Sequence, residues 1–122
     1  MSPNGAWWVP LAEKAFAKFF VNYENMDGGN MVESLSVLTG MPTKTYKSSE
    51  NTDDEMFNHI VDFDTKQWVM TASNINANAV NGLPGGHAYT CLGAKELKDE
   101  SGNLVAKLVK MRNPWGSEAY TG

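Results

Sequence analysis

Between Trp7 and Phe20 the pattern is helical: Leu11, Ala15, Lys18 and Phe19 follow a three-to-four spacing, with the apolar Ala12, Phe16 and Phe20 beside them. A period of three to four predicts an amphipathic helix with a broad apolar face. Pro10 suits its first turn, where a missing N–H has no partner to lose. Asp27-Gly28-Gly29-Asn30 then interrupts the pattern, because adjacent glycines permit positive φ angles and a sharp change of direction. Met31 to Leu38 predicts a second short helix, stopped by Thr39-Gly40 with Pro42 just beyond. After a polar loop at Ser48 to Thr52, Thr52 or Asp53 caps a third helix whose stripe is Met56, Phe57, Ile60 and Val61.

From Gln67 onward the pattern changes. Gln67 to Thr71 reads as a strand, and Ser73 to Gly86, rich in Asn and Gly, reads as a loop. Two more strand-like runs, His87 to Leu97 and Leu104 to Arg112, flank Asp99-Glu100-Ser101-Gly102-Asn103, whose turn chemistry predicts a hairpin. Helices first and antiparallel strands later indicate an α+β domain. A hairpin with one preceding strand is a thin sheet, since two strands alone are marginal in water, so the sheet is expected to be incomplete and the chain a fragment.

Composition narrows the function classes. With 42% hydrophobic and 20% charged residues, 122 residues suit one folded domain. A net charge of −4 argues against a nucleic-acid partner, whose phosphates call for a basic face. No apolar run approaches the roughly 18 residues of a transmembrane segment. The N-terminus lacks the basic-then-apolar order of a signal peptide. Cys91 is the single cysteine, so no internal disulfide can form and a reducing, cytoplasmic compartment is the simplest reading.

His87 is the leading candidate for chemistry. It follows Pro84-Gly85-Gly86, which leaves its side chain approachable, and it opens a strand. An ideal two-residue turn at Ser101-Gly102 sets His87 opposite Gly116, whereas a longer loop or bulges set it opposite Asn113. An amide there can hold an imidazole in one orientation and tautomer, as a cysteine protease requires. Cys91 shares the face of His87 but lies about 13 Å along the strand at ~3.3 Å per residue, and it lacks a helix N-terminus to favour a thiolate. It reads as a small buried residue. His59 falls off the apolar stripe of its helix and reads as a solvated position, and Asp53-Asp54-Glu55 as a charged helix start.

Gly86-His87-Ala88-Tyr89-Thr90 and Met111-Arg112-Asn113-Pro114-Trp115-Gly116 resemble the His and Asn blocks of the calpain family. Trp8, Leu11-Ala12-Glu13-Lys14-Ala15-Phe16-Ala17-Lys18, Tyr23-Glu24, Gly28-Gly29 and Thr39-Gly40 follow the family's order too, so the resemblance runs from Trp7 to Gly122. It implies a partial papain-like core split across two subdomains. Residues 1–29 would be the last helix of the first subdomain and the crossover, with the hinge at Gly28 and Gly29. Residues 30–122 would be the second subdomain, truncated at its C-terminus. His87 and Asn113 would be catalytic, with Trp115 covering the site.

The resemblance further implies an intracellular endopeptidase acting on protein or peptide substrates, whose nucleophilic Cys belongs to an N-terminal protease subdomain outside this chain. Taken alone, the chain is then expected to be inactive. The alternative is a calpain-like scaffold that binds proteins without cutting them. No cofactor is required for the chemistry. Calpains bind Ca²⁺ partly through a Glu after the Asn-Pro-Trp-Gly block, and Ala119 stands at that position, with Glu118 one place off. Losing a carboxylate weakens a site for a hard cation, so Ca²⁺ dependence is not expected to follow from the family alone.

Overall fold

The computed structural model describes residues 5–75, 78, 79 and 82–115. The chain divides into two compact units, Met1–Lys44 and Thr45–Gly122. In the first, helix α1 (Trp8–Phe19) is followed by a short 3₁₀ turn at Glu24–Met26 and helix α2 (Met31–Thr39). Pro10 sits in the first turn of α1, as its sequence position requires. Asn30 caps α2 by accepting the Val32 N–H at 3.0 Å, and Gly40 ends it in the left-handed conformation. Gly28 and Gly29 lie inside this unit at φ 86° and 153°. With Phe16, Phe20, Asn25 and Met26 they line a cleft of about 210 Å³.

The second unit lays helix α3 (Asp53–Thr65) against a three-stranded antiparallel sheet of order β1-β2-β3. Its strands are β1 (Met70–Asn74), β2 (His87–Lys98) and β3 (Leu104–Arg112). The α+β class read from the sequence is the observed one. A reciprocal capping box starts α3: Thr52 accepts the Glu55 N–H, and the Glu55 carboxylate accepts the Thr52 N–H at 2.8 Å. Those bonds, led by the one from the Thr52 backbone, hold the Glu55 carboxyl below its ordinary pKa. Phe57 from α3 and Tyr89 and Cys91 from β2 are buried. The α3–β2 approach is close at Gly93, where a Cβ would lie 2.5 Å from Asp64 Oδ2 and where φ is 137°.

Two expectations are corrected. The strand anticipated at Gln67 to Thr71 begins at Met70, because α3 runs to Thr65 and its stop consumes the residues between. Gln67 adopts a left-handed φ of 56° while the Trp68 N–H reaches back to the Phe63 carbonyl at 3.0 Å, a helix-terminating geometry more usual with glycine. His59 is half-buried rather than solvated, with its ring 4.6 Å from that of Tyr46 and stacked 5.7 Å from that of Phe63. Tyr46, outside α3, supplies the cover that helical periodicity could not reveal.

Candidate active site

β1 and β2 pair from Met70↔Cys91 to Asn74↔His87, so His87 stands at the end of the ladder. The loop between these strands is held at its base, where Asn74 Nδ2 donates to the Pro84 carbonyl at 3.4 Å. Gly86, at φ 59°, turns the chain into β2. On the other side, β2 and β3 pair from Thr90↔Arg112 outward to Lys98↔Leu104. The ladder slips between Cys91 and Gly93, where Leu92 is the extra residue on β2, and again near the turn, where Val105 is extra on β3. These slips lie on opposite strands and cancel.

The register therefore differs from the one that would set His87 directly opposite Asn113. Continuing from Thr90↔Arg112 sets Tyr89 opposite Asn113 and His87 opposite Trp115. Asn113 reaches His87 along the diagonal of one sheet face, a separation that side chains can bridge. His87 Nε2 and Asn113 Oδ1 lie 2.9 Å apart.

The proton's place in that contact follows from a second bond. Asn113 Oδ1 also accepts the backbone N–H of Trp115 at 3.1 Å, closing an Asx turn across Pro114. A backbone N–H demands an acceptor, so the carbonyl end of the amide faces both partners. An amide oxygen cannot donate, so Nε2 carries the imidazole proton and Nδ1 keeps the lone pair. No hydrogen bond among the described residues reaches Nδ1. The imidazole is thus fixed on one edge and open to take a proton on the other.

Two rings flank it. The indole of Trp115 lies 4.2 Å from the imidazole centroid at 40°, and the Tyr89 ring stands edge-on at 4.7 Å and 82°. Trp115 is 55% exposed. Tyr89 is 8% exposed, and its hydroxyl is buried without a partner among the described residues. The motif reading missed Tyr89, although strand periodicity carried the signal: residues 87 and 89 share a face.

Cys91 is buried at the next position on this face, beyond Tyr89, and does not meet His87. Gly28 and Gly29 belong to the first unit. Gly116, Glu118 and Ala119 lie outside the described residues. Among those described, no three His, Cys, Asp or Glu side chains converge to hold a metal ion.

With this geometry in place, comparison with known proteins is decisive. Residues 2–122 match the profile of the calpain family cysteine proteases. The chain belongs to the calpain family. It is 31% identical over 127 aligned positions to Calpain-9 of Mus musculus, covering 98% of this chain and 18% of that protein. Against the Calpain-1 catalytic subunit of Bos taurus it is 32% identical, covering 95% of this chain and 17% of the relative. Calpain clp-1 of Caenorhabditis elegans is 31% identical across 94% of the chain and 15% of its own length. The chain thus spans less than a fifth of the length of each of these three calpains. Three helices and a three-stranded antiparallel sheet agree with part of a papain-like core. No described helix is long and apolar enough to cross a membrane.

Proposed function

We propose that these residues form the histidine-and-asparagine part of a calpain-like cysteine endopeptidase, acting in the cytoplasm on protein substrates. The supporting observation is the 2.9 Å contact between His87 Nε2 and Asn113 Oδ1, which orients Nδ1 as a base. Cys91 is buried four positions along the same strand, so the nucleophile in this reading is a cysteine outside the 122 residues. The 122 residues alone then have no peptidase activity. Gly28 and Gly29, both at positive φ, are assigned to the crossing between protease subdomains, with residues 1–29 ending the first and 30–122 forming the second.

In the proposed reaction, His87 Nδ1 takes the thiol proton and the thiolate attacks the scissile carbonyl carbon. The resulting imidazolium returns the proton to the leaving amine as the C–N bond breaks, leaving a thioester. Water then loses a proton to Nδ1 as it attacks the thioester carbonyl. Collapse expels the sulfur, which regains the proton, and releases the acid. Throughout, Asn113 accepts from Nε2–H and holds the ring's orientation and tautomer. Trp115 shields that bond on one side.

The test is labelling of the intact protease by a peptidyl epoxide that alkylates an activated thiol. Wild type should label at one cysteine other than Cys91, and His87→Ala should abolish it. Equal labelling of His87→Ala would remove His87 from the mechanism. A wild-type protein that never labels would favour the non-catalytic, protein-binding alternative.

A further inference from the structure

We infer that Tyr89 is a positioning residue for the His87 imidazole and that its ring, not its hydroxyl, performs this role. The inference rests on the reading of His87 as the general base. A single bond from Nε2 to Asn113 fixes one point of the imidazole and leaves the ring free to swing about that point. Walls formed by the two rings packed against it limit the swing. The two walls differ in firmness: Trp115 lies beyond the end of β3 and is 55% exposed, whereas Tyr89 is 8% exposed in the middle of a paired strand. Tyr89 pairs with Ala72 of β1, and the same face of β2 carries the buried Cys91. It is therefore the anchored wall, meeting the imidazole at 4.7 Å in the edge-on geometry that aromatic pairs favour.

The hydroxyl supports the division of labour. A buried phenol normally finds a hydrogen-bond partner, and Tyr89 Oη has none among the described residues. Phenylalanine would supply the same edge without that cost. Only the ring has a neighbour to act on.

The experiment compares Tyr89→Phe, Tyr89→Leu and His87→Ala in the intact protease, following peptide hydrolysis and the His87 Nε2–H proton by NMR. Tyr89→Phe should leave kcat, KM and the Nε2–H signal unchanged. Tyr89→Leu should lower kcat about tenfold, within the roughly 100-fold that a misplacement of about 1 Å can cost, with KM changed less than about twofold. Its Nε2–H should also exchange faster with solvent. A Tyr89→Leu protein that folds and keeps wild-type kcat and Nε2–H exchange overturns the inference. So does a Tyr89→Phe protein as impaired as Tyr89→Leu, since the hydroxyl would then be the working group. Should Tyr89→Leu not fold, the wild-type protein decides: NOEs between the Tyr89 and His87 ring protons are required, and their absence overturns the contact itself. His87→Ala separates this inference from the functional reading, because full activity in that variant sinks the latter, whereas an inactive His87→Ala beside an unaffected Tyr89→Leu sinks only the former.

Discussion

The two ends of the β2–β3 hairpin are fastened by different means. At the turn, one carboxylate does most of the fastening: Asp99 accepts from the Ser101 and Asn103 N–H groups at 2.9 and 2.8 Å and from Asn103 Nδ2 at 3.0 Å. Main-chain bonds from Asp99 N–H to Asn103 and from Gly102 N–H to Asp99 close the loop. All the partners lie within five residues of one another. At the other end the ladder stops at Thr90↔Arg112, and His87 meets the side chains of Asn113 and Trp115 across 26 residues or more of sequence. Local turn chemistry secures one end, and long-range register secures the other. A local defect at the turn should therefore be absorbed locally, whereas a defect in register should reach the site.

The largest effect should come from cutting the long-range end. Asn113→Ala removes the acceptor of Nε2–H and should lower kcat/KM of the intact protease about 100-fold, equivalent to about 2.7 kcal/mol. Steady-state peptide hydrolysis checks this, with little change expected in the unfolding midpoint.

Gly93→Ala attacks the register itself. A Cβ at that position meets the Asp64 carboxylate at 2.5 Å, and alanine is strained at φ 137°. We expect a loss of about 1–3 kcal/mol in urea unfolding, mostly from the backbone conformation. Adding Asp64→Ala should recover only the steric part, because a carboxylate can swing aside.

Thr52→Ala should cost about 1 kcal/mol by removing the cap of α3. That helix start lies toward the turn end, since Asp54 pairs with Lys107 of β3 at 2.6 Å. Protection of the first-turn amides of α3 should fall in hydrogen exchange, while the His87 Nε2–H signal stays unchanged.

The smallest effect concerns Asp99. Its side-chain bond from Asn103, then the backbone bonds of the turn, hold its carboxyl below the ordinary carboxylate pKa. A lowered folded-state pKa means that this contribution to stability is present above the unfolded pKa and is lost as pH falls through the folded one. Protection of the Ser101 and Asn103 amides, taken relative to their intrinsic exchange rates, should fall over that acidic window, and Asp99→Ala should abolish this change in protection.

The same contrast explains what could be read from the sequence. The Thr52 cap, the Gly40 stop and the Asp99–Asn103 turn are local chemistry, and each stands where the residues indicated. The motif residues His87, Asn113 and Trp115 were also legible, and the structure brings them together. What spacing could not supply was the register. Extra residues Leu92 and Val105 on opposite strands cancel, and the His–Asn contact becomes diagonal. Nor could it find partners drawn from another element, as Tyr46 covers His59. The start of β1 slipped to Met70 because Gln67 adopts a conformation that its residue type does not advertise.

The central claim concerns one proton, and NMR of the protein ¹⁵N-labelled at histidine tests it directly. His59 and His87 are the two histidines of these 122 residues, so with this chain as the sample a His59→Gln variant assigns the spectrum. At a pH where the ring is neutral, the account predicts that the His87 proton resides on Nε2, with Nδ1 showing the shift of an unprotonated nitrogen. A proton on Nδ1, or rapid averaging between the two nitrogens, would contradict it.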